Sequence, residues 1–242
     1  MANNQIQNVI SRNRNVPPNP PTPIQDCRPR SEAAVVEPIV VFFVGGAGDK
    51  ESYYGQGPYR NVSEVRDYFD PKVRDLATSQ QYKSIYLGYT ELRGENNIKS
   101  KIFGAIPSKA ARVYIVGHSL GGWNGAHLST ILSNEGYNVE VLITLDPVGE
   151  GKLVWLGSNI HMKKPIPKSK YWINILAKPT EGDGSDVIAD FGERWSVTSG
   201  PNLNYIADVN HYDAKKMFVA PLKNGKSAAD ILYDSIRGVM VP

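Results

Sequence analysis

The fold of this chain is decided by residues 112–123, which read RVYIVGHSLGGW. Residues 113–116 (VYIV) are apolar and β-prone, a pattern that predicts a buried strand. Residues 117–121 (GHSLG) follow and lead directly into a segment that can form a helix. A G-x-S-x-G motif between a strand and a helix is a nucleophile elbow, whose tight turn lifts the serine hydroxyl out of the sheet edge. Because its two glycines leave room for that turn, Ser119 is the candidate nucleophile.

Segments that predict strands alternate with segments that predict helices through residues 38–242. This alternation is typical of an α/β protein with a mostly parallel central sheet flanked by helices. The predicted strands are residues 39–44, 85–89, 113–116, 139–145, 171–176 and 203–207, and the predicted helices are residues 62–78, 97–106, 120–134 and 223–238. Residues 178–193 predict a long polar loop.

Residues 1–37 differ from the rest of the chain because asparagine and proline are frequent there. Proline removes backbone donors and asparagine favours turns, so we expect a flexible or polyproline-like arm before one α/β domain over residues 38–242. The opening residues, MANNQIQNVISRNRN, lack the apolar core of a secretory signal. We therefore expect the protein to be made in the cytoplasm without a signal peptide.

The bulk composition excludes several classes of protein. Hydrophobic residues make up 41% of the chain and charged residues 21%, which is ordinary for a globular protein. The net charge of +3 is too small to argue for nucleic acid as a partner. Cys27 is the only cysteine, so an intrachain disulfide is excluded. No apolar run reaches the roughly 18 residues of a membrane-spanning helix.

A serine nucleophile needs a base within hydrogen-bond reach, and the base needs a group that orients it. The chain has four histidines, which are His118, His127, His161 and His211. His211 follows the last predicted strand, which is where a fold with a nucleophile elbow places its base. We therefore assign the base to His211.

The acid of the constellation has two candidate positions. Asp146 ends the strand that follows the elbow, so we expect its side chain at the same sheet edge as Ser119. Asp183 and Asp186 lie after the next strand, which is the commoner position in this fold, and they are the alternative acids. Asp146 is our first assignment.

Backbone N–H groups are expected to stabilise the oxyanion that forms when the serine attacks a carbonyl. The Leu120 N–H lies at the start of the helix after the elbow and is one predicted donor. Gly46 or Ala47, in the glycine-rich run after the first strand, supplies the other. That run lacks the G-x-G-x-x-G of a dinucleotide site, and the aspartates of residues 183–190 lack EF-hand spacing, so we expect no cofactor and no metal.

Residues 151–170 form a basic insertion that carries no acidic residue and has apolar residues between its lysines. Basic residues around exposed apolar ones suit an anionic membrane surface. Trp155, Lys163 and Lys164 are the predicted membrane or substrate contacts. The alternative is a solvated insertion whose apolar residues fold inward. Its lysines are Lys152, Lys163, Lys164, Lys168 and Lys170.

Three runs of residues resemble the α/β-hydrolase superfamily. G-H-S-L-G-G (residues 117–122) is similar to the elbow of serine lipases and esterases. T-L-D-P-V (residues 144–148) resembles the strand end that carries the acid in pancreatic-type and related lipases, which favours Asp146. F-V-G-G-A-G-D-K (residues 43–50) resembles bacterial lipase-like proteins, including phospholipase effectors of type VI secretion. The resemblance covers residues 38–242 and implies an α/β-hydrolase fold.

The resemblance implies an ester hydrolase that acts on lipids. For an effector, it implies cleavage of membrane phospholipids in the periplasm of a target cell, a secretion-apparatus partner for delivery, and an immunity protein that blocks the activity. Two alternatives stay open, which are a housekeeping carboxylesterase or thioesterase and a non-catalytic binding module with a hydrolase fold. The set Ser119, Asp146 and His211 favours an enzyme over a binding module.

Overall fold

A computed structural model describes residues 37–76 and 81–240 of the chain. The predicted arm, residues 1–37, lies outside the described residues except for Glu37. Among the described residues, no helix combines the length and the apolar character needed to cross a bilayer.

In the described part of the chain, the centre of the fold is a parallel sheet of six strands in the order β2-β1-β3-β4-β5-β6. The predicted α/β class, with a mostly parallel sheet flanked by helices, is confirmed. The strands are β1 (Ile39–Gly45), β2 (Tyr82–Gly88), β3 (Arg112–His118), β4 (Asn138–Leu145), β5 (Tyr171–Ala177) and β6 (Leu203–Ala207).

The described helices connect these strands. They are α1 (Asn61–Arg74), α2 (Glu95–Asn97), α3 (Leu120–Asn134), α4 (Lys152–Gly157), α5 (Gly184–Phe191), α6 (Ala214–Val219) and α7 (Ala228–Met240). The predicted helix over residues 97–106 is wrong as a regular element, because α2 continues as a single π-turn (Ile98–Ile102) and a 3₁₀ turn (Phe103–Ala105). The predicted loop over residues 178–193 is wrong in its second half, where α5 lies.

Two apolar cores lie on the two faces of the sheet, and β1 contributes to both. Ile39, Val41 and Phe43 pack on the face covered by α1, α6 and α7. Val40, Phe42 and Val44 alternate with them along the strand, so their side chains lie on the other face and pack with α3. Burial on both faces explains why this strand is apolar at every position before Gly45.

The carboxyl ends of the parallel strands lie at one edge of the sheet, which is where ligands bind in open α/β sheets. Ser119 follows β3 and Asp146 follows β4, and these two strands pair along their length up to His118 and Leu145. The topology therefore brings the elbow and the first-assigned acid to the same edge.

Candidate active site

Ser119 lies in the turn between β3 and α3 with φ 57° and ψ −130°. Its N–H donates to Leu145 O at 3.1 Å, which ties the elbow to the neighbouring strand. A Cβ atom on Gly121 would overlap the carbonyl oxygen of Val44, and one on Gly117 would overlap the carbonyl of Gly121. The two glycines of the motif are therefore required by close backbone approach, as the sequence predicts.

His211 lies in a turn after β6 and reaches the serine. Ser119 Oγ lies 3.1 Å from His211 Nε2. The His211 carbonyl accepts a hydrogen bond from His118 Nε2 at 2.7 Å, and the two rings lie 4.7 Å apart between centroids. Burial, with a smaller effect of the His211 ring, lowers the pKa of His118 to about 3, so His118 is a neutral support of the His211 backbone.

Asp146 completes the chain of hydrogen bonds. Its Oδ2 accepts from His211 Nδ1 at 2.6 Å, and its Oδ1 accepts from the Ala177 N–H at 3.0 Å. The side chain is fully buried. Burial raises the pKa of Asp146, but the bonds and charges of His211 and Arg194 outweigh burial and hold the pKa below its usual value. The carboxylate is thus ionised and orients the Nδ1–H tautomer of His211.

The two alternative acids have other contacts. Asp183 is the N-cap of α5 and accepts from the Ser185 N–H at 2.7 Å. Asp186 Oδ1 accepts from the His211 backbone N–H at 3.0 Å and not from its ring. The geometry therefore pairs the His211 ring with Asp146.

Arg194 is a member of the site that sequence reasoning missed. Its Nε donates to Asp146 Oδ2 at 2.8 Å and its Nη2 donates to Asp186 Oδ1 at 2.7 Å. It also forms an ion pair with Asp190. No spacing or motif in the sequence marks this arginine. Its position depends on an isolated antiparallel β-bridge between the backbones of Arg194 and Val148.

The predicted oxyanion donors lie beside the serine. Ala47, Leu120 and Ser119 line one cavity. In the described part of the chain, neither the Ala47 N–H nor the Leu120 N–H has a hydrogen-bond acceptor in the protein. A Cβ on Gly46 would lie 2.6 Å from Ser119 Cβ, so Gly46 is required for space around the serine. Ala47 borders both of the cavities that Ser119 borders whereas Gly46 borders neither, so Ala47 is the better placed of the two predicted donors.

A cleft with two lobes opens over Ser119 and His211. One lobe, of about 280 Å³, is bordered by Leu153, Val154 and Phe191. The other lobe, of about 350 Å³, is bordered by Asp49, Gln56 and Asn61 and otherwise mostly by apolar and tyrosine side chains, including Ile188 and Tyr59. The serine therefore lies between two mostly apolar spaces.

An exposed apolar rim lies beside the first lobe, on α4, α5 and the loop after β1. Its members are Tyr54, Leu153, Leu156, Val187, Ile188 and Phe191, each more than 60% exposed. Lys163 and Lys164 are exposed, and Lys164 pairs with Glu150 at 2.5 Å. Trp155 does not belong to the rim, because it is half-buried and donates to Gly149 O at 2.6 Å.

No protein-family model matches this chain, and no curated protein matches it. One solved structure that it resembles is described as "the putative cell surface hydrolase from Lactobacillus plantarum WCFS1". The two chains are 12% identical with a TM-score of 0.35, and the match covers 73% of this chain and 82% of the other.

Proposed function

We propose that this protein is a serine hydrolase that cleaves ester bonds in lipids. The observation that carries the proposal is the unbroken chain of hydrogen bonds from Ser119 Oγ through the His211 ring to Asp146. A serine is a weak nucleophile until a base takes its proton, and this chain supplies the base and the group that orients it.

The mechanism follows from these positions. His211 Nε2 accepts the Ser119 proton as Oγ attacks the ester carbonyl, and Asp146 stabilises the imidazolium that forms. The N–H groups of Leu120 and Ala47 donate to the oxyanion. The imidazolium then protonates the leaving alcohol, and an acyl-serine remains. Water, deprotonated by His211, hydrolyses this ester and restores the free serine.

The surroundings of the serine support a lipid as the substrate. Both lobes beside the serine are mostly apolar, which suits the acyl chains of a lipid ester. Lys152 lies on α4 with Leu153 and Leu156 of the rim, and Lys163 and Lys164 of the same basic insertion are exposed. Such a surface suits an anionic lipid bilayer, where apolar side chains enter the interface and lysines meet headgroups.

The test compares the wild-type protein with Ser119→Ala. Phospholipid vesicles and short p-nitrophenyl esters are offered separately, and lipid products are identified by mass spectrometry. We expect fatty acid release from vesicles that is lost in the variant. Turnover of short esters with intact vesicles would instead indicate a carboxylesterase. A wild-type protein that forms no adduct with a fluorophosphonate probe would indicate a binding module.

The effector role stays a prediction from the sequence resemblance. It includes delivery to the periplasm of a target cell, a secretion-apparatus partner and an immunity protein. The experiment is expression of the protein in a test bacterium with and without an added periplasmic signal. Growth arrest that requires both the signal and Ser119 would support the role, and equal growth in all strains would contradict it.

A further inference from the structure

Arg194 joins two carboxylates that hold different parts of His211. Its Nε donates to Asp146 Oδ2, the same oxygen that accepts from His211 Nδ1. Its Nη2 donates to Asp186 Oδ1, which also accepts from the His211 backbone N–H. One guanidinium therefore bridges the carboxylate that faces the His211 ring and the carboxylate that holds its backbone.

These contacts are largely removed from solvent. The side chain of Arg194 is 18% exposed, that of Asp186 is 10% exposed and that of Asp146 is 0% exposed. Charge-assisted hydrogen bonds in such a place are stronger than those at the surface. The planar fork of an arginine can reach two carboxylates at fixed angles, which a lysine cannot do.

We propose that Arg194 is a positioning residue of the catalytic site. It fixes the position of Asp146 relative to the His211 backbone, and its positive charge and that of a protonated His211 ring both interact with the Asp146 carboxylate. This inference rests on the proposed function, since it concerns the base of that reaction. A cation on Asp146 competes with a protonated imidazole for the same carboxylate. Arg194 therefore favours the neutral ring that can accept the Ser119 proton.

The charged and titratable groups around His211 come from every element packed against it. They are Asp146 after β4, Asp186 and Asp190 on α5, Asp49 after β1, His118 at the end of β3, Arg194, and the tyrosines that border the cleft with His211, which are Tyr53, Tyr54, Tyr59 and Tyr212. Burial is the main reason that the pKa of Asp49 is raised, and burial also keeps His118 neutral. Among these groups Arg194 is the one that is always positively charged, so its substitution by a neutral residue removes one full positive charge next to Asp146.

The experiment uses Arg194→Met and Arg194→Lys in the full chain. Proton NMR follows the hydrogen on His211 Nδ1, in a Ser119→Ala background so that turnover plays no part. In Arg194→Met we expect this resonance to move downfield and the ring to keep its second proton to higher pH. With Ser119 intact, the acid limb of kcat/KM in Arg194→Met should then lie at higher pH than in the wild-type protein, because no cation competes for Asp146.

Arg194→Lys separates charge from position. A lysine keeps the cation but cannot bridge both carboxylates, so the acid limb should stay near that of the wild type. The value of kcat on the high-pH plateau should nevertheless fall. The matched control is Arg237→Met, an exposed position of α7, which should change neither readout.

Two results would overturn the inference. One is a folded Arg194→Met protein whose His211 resonance and acid limb equal those of the wild type. The other, which applies if Arg194→Met does not fold, is an Arg194→Lys protein with wild-type kcat at all pH values. If the wild-type protein hydrolyses no ester, the proposed function fails, whereas the NMR comparison still decides the role of Arg194.

Discussion

At Ser119 and Asp146 the backbone has positive φ, 57° and 39°. Residues with a side chain adopt such conformations at a cost of about 1–3 kcal/mol, so the surrounding structure must hold them. Each is held by the next strand, since the Ser119 N–H donates to Leu145 O and the Asp146 N–H donates to Ile175 O at 2.7 Å. The strain therefore lies at the two residues whose side chains must meet His211.

The first prediction distinguishes Asp146 from the alternative acids. In Asp146→Asn the ring of His211 loses the charge that stabilises its protonated form, and kcat should fall by about 10⁴-fold. In Asp186→Asn the ring keeps its partner, so the loss should be much smaller. Steady-state kinetics on one ester with both variants checks this, and a larger loss in Asp186→Asn would contradict the assignment.

At the scale of single residues, sequence could predict Ser119, Asp146 and His211 because each follows a recognisable strand. Arg194 could not be predicted. The Trp195 N–H donates to Pro147 O at 2.7 Å, so the arginine reaches Asp146 only because the chain returns to the loop after β4. A contact between residues 48 apart in sequence has no local signal.

At the scale of elements, α5 shows how a helix can be hidden in a polar segment. Asp183 caps the helix and Asp186 completes a capping box, which is a local sequence signal for the start of a helix. Val187, Ile188 and Phe191 are exposed, so no buried apolar stripe marks the helix. Tertiary contacts, including the pair of Arg194 with Asp186, stabilise it instead.

The second prediction concerns the close packing of α3 on β1. In Gly121→Ala the new methyl group meets the Val44 carbonyl, and backbone cannot move aside as a side chain can. We expect a loss of about 1–3 kcal/mol or more in the free energy of unfolding, measured by urea denaturation.

The control for that substitution is Gly238→Ala in α7, where a Cβ meets nothing within 4 Å. Alanine in a helix is favoured over glycine by about 0.5–1 kcal/mol, so this variant should be as stable as the wild type or slightly more so. Equal stability of Gly121→Ala and the wild type would show that α3 can move away from β1.

At the scale of the whole molecule, the exposed apolar rim and the cleft lie on one surface. The basic insertion exposes some apolar residues and folds others inward, and Trp155, the one apolar residue named from the sequence as a contact, is among those that pack inward. Leu153 and Leu156 of α4 are exposed, whereas Trp155 packs inward. Because α4 is a helix, Leu153 and Leu156, three residues apart, face the same way and Trp155 faces another. The sequence did not predict that this segment is helical.

The third prediction tests this surface as a site of membrane contact. Leu156 is 84% exposed and does not border the cleft, so Leu156→Glu should leave hydrolysis of a soluble short ester unchanged. Binding to anionic vesicles should fall by about tenfold, because a leucine no longer enters the interface. Ile206→Glu, on the edge strand β6, is the matched control, and an equal effect there would contradict the prediction.

The fourth prediction concerns stability and pH. Burial, with the nearby His127 and Arg93, lowers the pKa of His161 from its ordinary value of 6.5 to about 4. Between these values the unfolded chain binds a proton that the folded protein excludes, so stability should fall as pH drops from about 6.5 towards 4. Thermal unfolding at a series of pH values should show a smaller decrease in His161→Gln than in the wild type, and equal decreases would contradict this.

The sequence by itself determined the parallel sheet, the elbow at Ser119 and the strand ends that carry Asp146 and His211. These features depend on apolar periodicity and on glycines at a tight turn, which are local in the chain. Only the tertiary structure decided that Arg194 joins Asp146 to Asp186, that the His211 ring pairs with Asp146 rather than Asp186, and that Leu156 rather than Trp155 faces outward. Those outcomes depend on contacts between distant segments, which are selected by packing and charge in the folded chain rather than by any local pattern.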